Sequence, residues 1–134
     1  MTTKPADKLS CAHEIYEWWS NSDKDLHTEM SPVRIVIPGR PERPELVHPR
    51  DVPKRGFNSE SARIKLVHAI AHIEFNAINL AWDAVYRFRD MPEQFYADWI
   101  KVAREEAYHF GLLHDHLKTL GYARVTERKT VGNV

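Results

Sequence analysis

The sequence predicts an all-α fold: a long helical hairpin, preceded by a short N-terminal helix and a proline-rich extended arm. Three observations carry that prediction. Apolar residues recur at three- and four-residue spacing through two segments of about 28 residues each. Only Asp90-Met91-Pro92 separates the two segments, so they are expected as antiparallel neighbours. Six of the eight prolines fall between Pro32 and Pro53, which marks off an arm that cannot be helical.

The elements follow in order. Residues 6–20 read as a helix, because Leu9, Ala12, Ile15, Tyr16 and Trp19 share one face. Ser20-Asn21-Ser22-Asp23 breaks that pattern. Residues 31–58 form the arm, with Gly39 and Gly56 adding turn character. Val33-Arg34-Ile35-Val36-Ile37 is β-prone, but an extended coil over the surface is expected there. The hairpin spans 59–121. Its first helix is expected from Ser59 to about Arg89, with Ser59 or Ser61 as the cap. The second begins near Pro92, where proline is tolerated in a first turn, and stops at Gly121. Each helix would be roughly 42 Å long. Residues 122–134 read as a polar tail without periodicity.

Composition limits the functions available. The chain has 134 residues, and 19 basic against 19 acidic side chains leave no formal net charge. Nothing global therefore favours nucleic acid or an anionic membrane. No apolar run is long enough to span a bilayer, and the first residues lack the apolar stretch of a signal peptide. The single cysteine, Cys11, rules out an internal disulfide and a cysteine-based zinc cluster, and it fits a reducing, cytoplasmic setting. There is no Gly-rich phosphate loop, no Gly-x-Ser-x-Gly and no His-Glu-x-x-His. What stands out is eight histidines and four tryptophans.

Acidic residues interrupt both apolar stripes. On the first long helix, Ile64, Val67, Ile70, Ala71, Ala77, Ile78, Ala81 and Val85 mark the stripe, and Glu74 sits in its middle. On the second, Trp99, Val102, Ala103, Phe110, Leu113, Leu117 and Leu120 mark it, and Glu106 and His109 fall within it. Glu105 points elsewhere. A glutamate on a buried face is costly unless paired or bound to a cation. Glu106-Ala107-Tyr108-His109 is a Glu-x-x-His motif, whose spacing sets both side chains on one face. Carboxylate plus imidazole, without thiolate, suits iron or manganese. Di-metal bundles use one Glu from each of two helices and Glu-x-x-His from each of two others, and this chain supplies one of each kind. The pattern alone also admits a buried ion pair, in which Glu74 or Glu106 meets His109, Arg63 or Arg104.

The other prominent residues read as structural. His68 and His72 lie one turn apart, beside the Glu74 stripe, and are expected as polar-flank or core histidines, although His72 could orient a ligand. His114 and His116 suit the helix C-terminus. His13, His27 and His48 have no partner at useful spacing. Trp18, Trp19, Trp82 and Trp99 are expected in packing, as is Tyr108. No catalytic residue is evident, and a catalytic thiol at Cys11 is not expected.

These residues also carry a resemblance. The stretch from Leu66 to Ala81 (Leu-Val-His-Ala-Ile-Ala-His-Ile-Glu-Phe-Asn-Ala-Ile-Asn-Leu-Ala) and the stretch from Phe95 to Leu113, including Glu-Glu-Ala-Tyr-His, resemble the two metal helices of a bacterial ferritin-like family. That family is the domain of unknown function 455, distantly similar to di-iron tRNA hydroxylases. The likeness runs from about residue 5 to Tyr122. It implies a ferritin-like four-helix core with a carboxylate-bridged di-iron site, and Glu74, Glu106 and His109 as ligands. Members of the family are usually about twice this length, with the other Glu helix and Glu-x-x-His helix in the second half. The chain therefore reads as a single, truncated ferritin-like domain, half of a four-helix bundle. Two functions are then in view. One is a di-iron oxidoreductase or iron-handling protein, with manganese as the other metal and the site completed across a homodimer. The other is a metal-free helical interaction module or a nonfunctional remnant.

Overall fold

The computed structural model describes residues 4–23, 25, 26, 30–36 and 59–121. They form helices α1 (Pro5–Asn21), α2 (Glu60–Arg87) and α3 (Glu93–Thr119), and the described residues contain no strand. The fold is all-α, as expected. Most of the arm (37–58) and the tail (122–134) lie outside the described residues, as do His27 and His48.

Each boundary has a local cause. Pro5 opens α1, where a missing N–H costs nothing. Ser20 Oγ and Asn21 Nδ2 close it by donating to the carbonyls of Tyr16 and Glu17, both at 2.9 Å. Ser59 caps α2, its Oγ accepting from the Ala62 N–H at 3.2 Å. Asp90 turns the chain between α2 and α3 with φ of 55°, a left-handed conformation that aspartate tolerates better than most residues. The Tyr96 hydroxyl pins this turn: it accepts from the Met91 N–H and donates to the Phe88 carbonyl, both at 3.1 Å. α3 ends at Thr119; beyond it the Gly121 N–H donates to the Lys118 carbonyl at 2.9 Å, and Gly121 takes the left-handed φ of 76° common after a helix.

The core lies between α2 and α3. Ile64, Ala71, Phe75 and Ile78 pack against Ala107, Phe110 and Leu117, and the Phe75 and Phe110 ring centroids are 5.4 Å apart. α1 joins through Ala12 and Leu9 and packs mainly on α3. Leu9 crosses α3 at Gly111, where its Cδ2 would lie 3.6 Å from a Cβ. Residues 30–36 lie outside any helix and are exposed, and the Val33 N–H donates to Tyr86 Oη at 2.8 Å.

Some residues depart from the expected packing, Ile15 and Leu120 of the apolar faces among them, which are exposed. Trp18 is 54% and Tyr108 64% exposed, so neither packs in the core, whereas Trp19 does. Lys8, by contrast, is only 2% exposed. Its Nζ donates to Asn79 Oδ1 and lies 4.4 Å from the Phe75 ring centroid. Burial pushes its pKa down from 10.5 to about 8.

Candidate metal centre

The hairpin sets the site by register. Glu74 and Glu106 lie equally far in sequence from Asp90, so antiparallel α2 and α3 bring them level. Helical spacing then places His109 one turn beyond Glu106 on the same face. The structure brings all three predicted residues together: one potential ligand atom from each lies within 4.8 Å of the others. His109 Nδ1 is 3.4 Å from Glu106 Oε2. A carboxylate oxygen of Glu74 completes the group, so Glu106 lies close to both partners.

The electrostatics follow from two acids meeting. Two carboxylates can share a hydrogen bond only if one of them is protonated. Glu74 is accordingly raised from 4.5 to about 6, with its hydrogen bond to Glu106 the largest cause. Desolvation and the Glu106 charge push the same way, and His109 opposes them. The site is half-open: the side chain of Glu106 is 24% exposed and that of His109 51%.

The neighbours fall outside this group. Glu105 is exposed and pairs with Lys101 at 3.8 Å, as its position off the stripe requires. Arg104 stacks on the Tyr16 ring at 4.4 Å, so it does not form the ion pair that the pattern allowed. His68 and His72 are half-buried on α2 and do not join the cluster; burial lowers the His68 pKa. His114 stacks on Phe110 at 5.8 Å, a packing role that sequence reasoning missed. His13 and Tyr108 line a separate open groove of about 570 Å³ on the α1 side of α3, with Leu9, Arg104 and Leu112.

Comparison with known proteins settles the family. The profile described as "Protein of unknown function (DUF455)" matches residues 1–123. The chain belongs to the DUF455 family. A relative from Haemophilus influenzae, carrying the name "Uncharacterized protein", is 44% identical over 131 residues. That match takes in 90% of this chain and 46% of the relative, so the chain spans about half the relative's length. No solved structure matches. No described helix of this DUF455 chain is long and apolar enough to cross a membrane.

Chemically, the donor set fits a hard or borderline divalent cation. Two carboxylates and one imidazole, without thiolate, suit Fe(II) or Mn(II) rather than a structural zinc. Two acids held side by side at the cost of retaining a proton are the arrangement a cation relieves.

Proposed function

We propose that this chain is a ferritin-like metal protein in which Glu74, Glu106 and His109 hold iron, and that it belongs to the oxygen-dependent oxidoreductase or iron-handling class. The convergence of three donors from two helices within 4.8 Å carries the proposal. Glu106 lies close to both other donors and would be shared between them and the iron. Glu74 completes the carboxylate pair, and His109 contributes the neutral imidazole nitrogen. Bound ferrous iron supplies electrons for the reduction of dioxygen. The chain's own part is to position the donors and to release the proton between Glu74 and Glu106 as the cation enters. The resemblance to di-iron tRNA hydroxylases favours this reaction class, and manganese is the other metal the donors suit. The proposal includes a cytoplasmic location, where the exposed Cys11 thiol stays reduced.

A second reading has an observation in its favour. The Glu74–Glu106 hydrogen bond and the His109–Glu106 contact give all three side chains a partner without a cation. The hairpin would then be a metal-free interaction module. Elemental analysis separates the two readings. Protein purified without chelator and loaded anaerobically with Fe(II) should carry about one iron per chain and consume oxygen on exposure to air. Protein that retains no iron after loading removes the metal reading and leaves the second.

A further inference from the structure

We infer that a second copy of this chain closes the open α2–α3 face over Glu74, Glu106 and His109, and that iron drives the closure. The inference rests on the metal reading above and names the partner of that same site.

The face is visible along α2. Leu66, Ile73 and Leu80 follow one another at seven-residue spacing and are 40%, 64% and 66% exposed. Half-buried Ile70 and Ala77 lie between that line and Glu74 around the helix. The opposite flank of α2 is already occupied, because Lys8 of α1 packs on Phe75 and Asn79. The apolar line therefore borders the side of the hairpin that carries the donors. A seven-residue apolar repeat on a helix is the pattern that another helix covers.

The donor arithmetic selects the occupant. A bundle di-metal site takes a Glu from each of two helices and Glu-x-x-His from each of two more. This hairpin holds one Glu and one Glu-x-x-His, converged at the edge of the open face. A twofold axis beside that edge doubles the set to the full number with residues of the required types. A second copy of the same hairpin meets that requirement.

Charge makes the assembly conditional. Closing two copies together gathers four carboxyl groups, which repel one another when ionised. Two divalent cations match that charge and remove the repulsion. The chain should therefore be a monomer without metal and a dimer with it.

Sedimentation velocity of the full chain under anaerobic conditions, with and without Fe(II), tests this when bound iron is assayed in the same samples. Ile73→Glu places a charge in the apolar line at a position exposed enough to leave the monomer's helicity intact, which circular dichroism verifies. Wild type should shift from monomer to dimer on iron addition, with about two irons per dimer. Ile73→Glu should stay monomeric and lose iron binding. Iron held by a wild-type monomer would overturn the shared site and leave the metal reading standing. A dimer indifferent to iron would overturn it as well. Failure of every sample to bind iron would remove both.

Discussion

Glu74 on α2 and Glu106 on α3 bring their carboxyls together across the hairpin, and hydrogen bonding between them is the largest cause that raises the Glu74 pKa to about 6. Two acids brought together make this contact a place where stability depends on protons and, in the proposed function, on a cation. Several measurable consequences come from that contact and from its surroundings.

The metal-free protein should be less stable at pH 7 than at pH 4.5 through this pair. The folded-state pKa of Glu74 lies above its ordinary value, so folding favours the protonated form. That contribution is complete below 4.5 and is lost as pH rises through about 6. Urea denaturation across this window, with chelator present, should show the decline. Glu74→Gln keeps a hydrogen-bond donor toward Glu106 without titrating, and should flatten the profile. An unchanged slope in Glu74→Gln would assign the decline to other groups.

Substitutions should divide by helical face. Glu106→Ala and His109→Ala should abolish iron retention, while Glu105→Ala should leave it at the wild-type level. Neighbouring Glu105 is turned toward Lys101, away from the cluster. Elemental analysis of the three variants after identical Fe(II) loading reads the result. Equal damage from Glu105→Ala would mean that iron is held by general negative charge rather than by the cluster.

Gly111→Ala should stabilise the protein by about 0.5–1 kcal/mol, the usual gain from replacing a helix-interior glycine. Its new methyl group would meet Leu9 Cδ2 at 3.6 Å, an ordinary van der Waals contact, so no clash offsets the gain. Thermal denaturation of the metal-free protein measures it. A loss of stability would show that α1 packs on α3 more tightly than this contact distance allows.

Lys8 and Asn79 should behave as a coupled pair. The Lys8 pKa is depressed from 10.5 to about 8, so folding favours the neutral amine and stability should rise as pH climbs between those values. Lys8→Met should remove that rise. It also leaves the Asn79 amide with no hydrogen-bond partner among the described residues, since its Nδ2 already has none. The double variant Lys8→Met/Asn79→Leu should therefore be more stable than Asn79→Leu or Lys8→Met alone, because replacing both polar partners costs less than stranding one. Additive single and double effects in a denaturation cycle would refute the coupling.

Much of this architecture is legible in the sequence because its signals are local. Ser59, Pro92 and Gly121 mark helix ends through backbone chemistry that needs no tertiary context, and α2 and α3 start and stop within two residues of them. The candidate centre is legible for a related reason. Glu74, Glu106 and His109 interrupt apolar stripes, and the short link at Asp90 fixes the antiparallel register that makes them level. What the sequence hides is which flank of each helix a third element covers. Periodicity within α2 does not reveal that α1 lies against Phe75 and Asn79, so the burial of Lys8 goes unseen. The same gap misplaces Tyr108, which follows the stripe closely in sequence but turns toward the open groove beside α1. A lysine with a long apolar stem satisfies an amphipathic pattern whether its stem is covered or not.

Anaerobic calorimetric titration with Fe(II), comparing wild type with the Glu74→Ala/Glu106→Ala/His109→Ala variant, tests the metal reading most directly. Saturable binding at about one iron per chain in wild type, absent in a triple variant that keeps its helicity, is the result predicted. Binding that survives unchanged in the triple variant, or no saturable binding in wild type, would contradict it.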